Sequence, residues 1–384
     1  MKEYDARLAK VRAVLRQRGL GALVVSDPAN IFYLTGYDAW SFYTPQCVLV
    51  PADGDVQLFA RAMDAAGASY TCDLRADQIH GYPESYVHRP DLHPFDWIAQ
   101  RCHELIPGGA DVAVECDAHY FTARSYLALG NGLPGRRLVD SAELVNWVRL
   151  VKSPYELGQL RIAGTIAEHA MRVALDGLRP GRRQCDVAAE ILAAQTTGTA
   201  EHGGDYPAIV PMLPTGDAAG TPHLTWSDRP FVDNEATTIE LAGVHGRYHA
   251  PLARTVMLGD PPRRLRETAK IVADGMQATL STIRPGVTGG AVHAAFNEVI
   301  SAHGLVKESR IGYSIGIGYP PDWGERTVSL RAEETTVLTA GMAFHVILGM
   351  WMDGWGYELS EPVAVTDDGV ERLTGLSHEL TIRR

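Results

Sequence analysis

Apolar residues recur every three to four positions in ARLAKVRAVLRQRGL (residues 6–20), which predicts an amphipathic helix near the start of the chain. Short apolar runs bounded by Gly, Asp and Pro follow in GALVVSD (21–27) and PQCVLVPADGDVQLFA (45–60), and these predict buried strands. The alternation continues to about residue 145 and describes an α/β domain. Residues 141–178 then carry long helical periodicity, interrupted at Ser153-Pro154. Ser153 suits an N-cap, Pro154 the first helical position, and Glu156 the return contact of a capping box. A helix starting there puts the domain boundary just before it, giving domains 1–150 and 151–384.

The second half alternates differently. Helical patterns (RRQCDVAAEILAAQTT, RLRETAKIVADGMQATLSTI, GGAVHAAFNEVISAHG) are interleaved with β-branched runs (TTIELAGV, LARTVML, MAFHVILGM, PVAVTDDG). The strands come in runs joined by short turns, so an antiparallel α+β domain is expected rather than a doubly wound parallel sheet. SIGIG (314–318) has glycines without the lysine of a phosphate loop, and predicts a tight structural turn.

Bulk composition narrows the function. With 35 basic and 46 acidic residues the 384-residue chain carries a net charge of −11, which argues against a nucleic-acid partner. No run approaches the roughly 18 apolar residues of a membrane span, and the N-terminal helix lacks the apolar core of a secretory signal. A cytoplasmic protein acting on a small molecule is the expectation. Its five scattered cysteines contain no C-x-x-C pair, so buried reduced thiols are expected rather than disulfides or a structural zinc. There is no H-E-x-x-H or G-x-x-x-x-G-K-[ST].

Several segments, in order, resemble the pita-bread hydrolases, the family of creatinase, prolidase, aminopeptidase P and methionine aminopeptidase. NIFYLTGY (30–37) resembles their N-terminal domain signature, and RLVKSPYE (149–156) resembles the start of their catalytic domain. PHL (222–224), GRYHAPLART, SIGIG, GMAFHVILG and PVAVTDDGVERLT follow in the family's order. The resemblance implies an α/β N-terminal creatinase-like domain, an α+β pita-bread catalytic domain and a homodimer.

The departures from the family carry the information. Its peptidases hold two metal ions with two aspartates, a histidine and two glutamates. Aligned on the flanking glycines and RT, those positions fall on Glu240, Pro251, Ile315, Ile347 and Ser360. Proline and isoleucine side chains offer no donor to a divalent ion, so no metal and no other cofactor is expected. TGYDAWSFYTPQ, GGDYPAIVPMLPTG, PHLTWSDRP and GYSIGIGYPPDWGERT resemble the metal-independent branch that opens the cyclic amidine ectoine.

Strand period nominates the residues facing the altered site, because side chains two apart share a face. If Pro251 faces it, so does His249. If Ile347 does, so does His345, and if Ser360 does, so does Glu358, while Glu361 points away. Glu240 itself stands in a ligand position, although a structural pair with Arg254 is an alternative. Paired carboxylates suit an amidinium, whose N–H groups they accept in charge-assisted bonds. The resemblance to creatinase nominates His223 as proton carrier, with Glu240, Glu358, His249 and His345 completing the catalytic set. Trp40 and Tyr43 are candidates to cover a cationic ligand, reaching over a partner's site as in creatinase-like dimers. Tyr248 matches a family tyrosine and is a candidate for substrate binding, with packing alone as the other reading. Arg331 resembles a creatinase arginine for the substrate carboxylate, with Arg326 and Arg229 as rivals. Two further readings stand beside the cyclic amidine: a linear guanidino or amidino substrate, and a non-catalytic binding protein on a peptidase scaffold.

Overall fold

The computed structural model describes residues 3–106 and 108–384, in two compact units that meet in sequence between Arg149 and Leu150. In the N-terminal unit the helix Glu3–Gln17 precedes β1 (Ala22–Val25), β2 (Cys47–Pro51), β3 (Gln57–Arg61), β4 (Ile79–Tyr82), β5 (Val112–Val114) and β6 (Leu138–Asp140). They form one sheet in the order β4-β3-β2-β1-β5-β6. β1, β5 and β6 run parallel, and β2 is antiparallel to both of its neighbours. The NIFYLTGY stretch lies largely in the helix Pro28–Thr35, started by the Asp27 side chain and stopped by Gly36 in the left-handed conformation.

The second unit opens with the helix Pro154–Gly177. Ser153 accepts the Glu156 N–H at 3.3 Å and the Glu156 carboxylate accepts the Ser153 N–H at 3.0 Å, with Pro154 at the first helical position. Behind it lie β7 (Ala236–His245), β8 (Tyr248–Leu258), β9 (Gly312–Tyr319), β10 (Asp322–Ser329), β11 (Ala343–Ile347), the hairpin β12 (Met350–Met352) and β13 (Trp355–Tyr357), β14 (Ser360–Val365), β15 (Val370–Arg372) and β16 (Thr381–Arg383). The main path runs β15-β14-β11-β9-β8-β16, with β7 paired to β8 and β10 to β9. All of these pairings are antiparallel except β16 with β8. The α+β expectation for this half matches that topology.

Small residues set how closely the layers approach. The helix Pro154–Gly177 buries Ala163, Ala167, Ala170 and Ala174, a helical stripe that meets β7. Gly243 on β7 makes this possible, since a Cβ there would stand 2.1 Å from the Ala163 carbonyl oxygen. SIGIG is strand, not the expected turn. Its glycines serve close packing within the sheet: a Cβ on Gly316 would lie 2.3 Å from Glu325 Oε1. The thiols are all free, but Cys116 is exposed, against the expectation that they are buried.

One ion cluster ties β8, β14 and β15 to the C-terminal segment. Glu361, fully buried, meets Arg254 at 3.2 Å, Arg372 at 3.1 Å and His378 at 2.8 Å, and accepts the Thr374 hydroxyl. Arg254 therefore belongs to Glu361 and not to Glu240. Burial alone raises a carboxyl pKa, but His378, Arg254, Thr374 and Arg372 together hold Glu361 below its ordinary value. Its contribution to stability is thus complete above the ordinary carboxyl pKa of about 4.3 and is lost as pH falls through the lowered folded value. Glu361→Gln keeps the shape but leaves Arg254 as an uncompensated buried cation. We expect a loss of about 3–5 kcal/mol in urea unfolding at pH 7, shrinking as the pH is lowered toward 3.

Candidate active site

A cavity of about 370 Å³ opens in the second unit. β7 supplies Glu240, β9 Tyr313, β10 Asp322 and Trp323, and β11 Ile347. The segment ahead of β9 adds Lys307, Ser309 and Arg310, and the residue just before Leu359 and β14 is Glu358. The segment before β7 closes another wall with Ile209, Met212, Pro222 and His223.

That last wall is pinned from below. Met212 exchanges backbone hydrogen bonds with Glu240, at 2.9 and 3.1 Å. Arg247, in the β7–β8 turn, donates to the Tyr206 carbonyl at 2.8 Å with its guanidinium against the Tyr206 and Tyr319 rings. His249 Nε2 accepts the Ala208 N–H at 2.9 Å, so its proton sits on Nδ1 and is donated to the Arg247 carbonyl at 2.9 Å. Burial and Arg247 push its pKa well below the ordinary value. His249 is a neutral structural histidine with both nitrogens in use, and it does not line the cavity.

Glu240 and Glu358 are the opposite case. Glu240 is 6 % exposed and Glu358 3 %, and among the described residues no hydrogen bond reaches either carboxyl group. Glu358 Oε1 is a buried oxygen without a partner. Burial raises Glu240 to about 7. It pushes Glu358 well above its ordinary value, with the Glu240 charge adding to the rise and Lys307 opposing it. Lys307 is itself lowered to about 8, because burial outweighs the attraction of Glu358. Its ammonium donates to Ser309 Oγ at 2.9 Å and to the Gly349 carbonyl at 2.8 Å.

His223 reaches the cavity, with its backbone in the left-handed region at φ 66°. His345 lies one layer deeper, fully buried, between Tyr313 Oη at 2.9 Å and Ser360 Oγ at 2.7 Å. Burial, then the charge of Arg310, lowers its pKa to about 3. Tyr248 is buried and gives its hydroxyl to the Glu156 carboxylate at 2.9 Å, which corrects the expectation that it touches a ligand. Arg331 also stands outside this cavity, in a neighbouring chamber, with its half-exposed side chain 3.7 Å from Glu333. Arg229 forks onto Glu235, and Arg326 is not in the cavity wall. Trp40 and Tyr43 lie in the N-terminal unit and are 59 % and 57 % exposed.

Sequence reasoning passed over Arg310, Lys307, Tyr313 and Trp351. Arg310 lines the cavity, donates to Ser329 Oγ at 3.0 Å and lies 4.3 Å from the Tyr313 ring centre. Among the described residues no carboxylate stands within ion-pair distance of it. Trp351 folds over Gly349, where a Cβ would strike the indole at 2.5 Å. Tyr313 was within reach of the period-two argument, being two residues before Ile315 on the same strand.

The five positions that resemble metal ligands of the family's peptidases offer little to a metal ion here. Pro251 and Ile315 are buried and Ile347 lines the wall, and none of the three side chains has a donor atom. Ser360 Oγ is engaged by the Ala253 N–H at 2.6 Å and by His345. Among the described residues no group of three or more His, Cys, Asp or Glu is arranged to hold an ion. The donor set does not fit a dinuclear metal centre.

Comparison with known proteins places the chain. Residues 7–151 match the creatinase/prolidase N-terminal domain, and residues 158–367 match metallopeptidase family M24. The ectoine hydrolase of Halomonas elongata is 42 % identical over the whole chain and 98 % of its own length. The crystal structure of dipeptidase PepE from Mycobacterium ulcerans superposes with a TM-score of 0.82 at 25 % identity, covering 99 % of this chain and 98 % of that one. A prolidase from Thermococcus sibiricus gives 0.86 at 19 % identity over the full length of both chains, a likeness of fold. By both domain matches and by its full-length relative, the chain belongs to metallopeptidase family M24, in the form that carries a creatinase/prolidase N-terminal domain.

Proposed function

We propose that this protein hydrolyses the cyclic amidine of ectoine without a metal ion, opening the ring to an N-acetyl-diaminobutyrate. The observation that carries this reading is the pair Glu240 and Glu358, two enclosed carboxyl groups with no protein hydrogen-bond partner. An amidinium supplies what they lack, a planar cation with N–H donors on both nitrogens. Full-length similarity to an ectoine hydrolase supports the choice of substrate.

Hydrolysis needs water at the amidine carbon and a proton moved twice. As the O–C bond forms, the C=N electron pair withdraws onto nitrogen and one water proton passes to a base. That proton is returned to a ring nitrogen as its C–N bond breaks. The remaining hydroxyl proton leaves as the carbonyl forms and ends on the freed amine, giving an amide and an ammonium. His223, the one proposed catalytic histidine that reaches the cavity, is the carrier in this scheme. Arg310 is the anchor for the ectoine carboxylate in place of Arg331, since it is a cavity guanidinium with no carboxylate among the described residues at ion-pair distance, Asp322 acting on it only from farther off. A cytoplasmic homodimer completes the reading, with the exposed Trp40 and Tyr43 of one copy covering the cation held by the other. No helix among the described residues is long and apolar enough to cross a membrane.

Purified protein followed by NMR is expected to open ectoine at the same rate before and after exhaustive chelation. Activity abolished by chelation and restored by a divalent ion would overturn the metal-free scheme. Turnover of creatine-like compounds in place of ectoine would move the substrate to the linear guanidines.

One carboxyl of the pair must be ionised to hold an amidinium, and Glu240, with its pKa near 7, is the first to lose its proton. The apparent kcat/KM should therefore climb as pH rises from about 5.5 and level off above about 7.5. Glu240→Gln should lower kcat/KM by at least about 100-fold, flatten this climb and leave the thermal melt in place. A wild-type pH profile without that climb contradicts the assignment.

Arg310→Met keeps an apolar cover over Tyr313 but removes the charge. We expect KM for ectoine to rise roughly 10- to 100-fold, the equivalent of about 1.5–3 kcal/mol for a charged hydrogen bond, with a smaller change in kcat. Arg331→Met serves as the comparison and should leave KM within about twofold.

A further inference from the structure

Behind the cavity wall runs a chain of hydrogen bonds whose proton positions are fixed by counting donors and acceptors. It begins at Ser360 Oγ, fully buried, which accepts the Ala253 N–H at 2.6 Å and meets His345 Nε2 at 2.7 Å. The serine proton has a single acceptor among these partners, His345 Nε2. A neutral imidazole that accepts at Nε2 carries its own proton on Nδ1 and donates it to Tyr313 Oη, 2.9 Å away. Trp323 Nε1, which is a donor only, gives a second proton to the same phenolic oxygen at 2.8 Å. The opposite tautomer of His345 would leave the Ser360 proton buried without an acceptor.

Tyr313 Oη thus receives two hydrogen bonds from the protein, and its own proton finds no acceptor behind the wall. Tyr313 lines the cavity, close enough to Glu240 to feel its charge, with Arg310 over its ring. Burial and that charge push the phenol well above its ordinary pKa, so it stays protonated and serves as a donor rather than a base. A preoriented donor of this kind is useful where negative charge develops on oxygen during reaction.

We propose that Tyr313 is a catalytic hydrogen-bond donor of this site, directed at the oxygen that adds to the amidine carbon, and that Ser360 and His345 are positioning residues that fix its direction. The inference rests on the amidine hydrolysis read above and adds one role to it. As water adds and the carbonyl forms, the bond from Tyr313 strengthens with the charge on that oxygen. No proton leaves the tyrosine, so the proton balance of the reaction is unchanged.

The test uses the whole protein with ectoine, and reads kcat and KM by NMR, ectoine affinity by calorimetry and folding by thermal melt. Tyr313→Phe keeps the ring and removes the donor. We expect kcat to fall roughly 100- to 1,000-fold, with KM and affinity within about threefold. Ser360→Ala frees His345 to carry its proton on Nε2 and accept from the tyrosine, which turns the phenolic proton away from the cavity. It should lower kcat about tenfold, and it should cost nothing further when added to Tyr313→Phe, because it acts through that hydroxyl. A folded Tyr313→Phe protein whose kcat stays within threefold of wild type overturns the inference, as does a Ser360→Ala penalty of equal size in both backgrounds. If Tyr313→Phe does not fold, Ser360→Ala alone decides, an unchanged kcat counting against the proposal. Failure of the unmodified protein to open ectoine would instead sink the functional reading on which this one rests.

Discussion

Enclosing two carboxyl groups together without partners is the constraint around which the second unit is arranged. Each must shed water, and ionising one makes ionising the other harder, so burial lifts Glu240 to about 7 and drives Glu358 higher. A fold bears such a cost only where the rest of the neighbourhood is held firmly. Here the surrounding polar groups are committed elsewhere: His249 to two backbone groups, Tyr248 to Glu156, Ser360 to Ala253 and His345. None of them can turn in to relieve the pair. The unmet demand for a cation is therefore built into the architecture, and an amidinium ligand answers it by releasing the protons that burial forces the carboxyls to keep.

Glu358 and Glu361, three residues apart, show how the same side chain is put to two uses. Glu361 sits opposite Val346 on β11 and turns to the face where Arg254, Arg372, His378 and Thr374 gather, and its pKa falls. Glu358 turns to the cavity, where only Lys307 opposes its rise, and its pKa climbs. The first contributes to holding β8, β14 and the C-terminal segment together. The second weakens the fold by the same physics and makes sense only with a ligand in place.

Much of this organisation was legible in the residues. The capping box read at Ser153 does form, and the two units part in sequence between Arg149 and Leu150. Glu240, Glu358 and His223 do share one cavity. Strand period told which face a residue takes but not how deep it lies. His249 and His345, which strand period nominated for the cavity, are fully buried and do not line it. SIGIG misled because glycine serves turns and close approaches alike, and only the neighbouring Glu325 reveals which applies. Arg310 and Lys307 were invisible for a different reason: they lie in an irregular segment with no period, and their place in the wall comes from tertiary packing.

On the metal-free reading proposed above, the positions that resemble metal ligands act at different depths. Ile347 puts an apolar side chain in the cavity wall, where a lower local dielectric strengthens the remaining electrostatic contacts, and Pro251 and Ile315 are buried without lining it. Ser360, in the position of a metal-binding glutamate of the related peptidases, brings a hydroxyl of smaller volume and no charge, and that hydroxyl fixes the tautomer of His345 beneath the wall. Through His345 the effect arrives at Tyr313, which does face the cavity. The replacements are therefore unequal in kind. On the reading proposed above, three offer no side-chain donor, one leaves a carboxylate where a cation would bind, and one works at second hand by orienting a neutral donor. Simple decay of a metal site would strip donors without leaving the two carboxyls and the directed hydroxyl that this cavity retains.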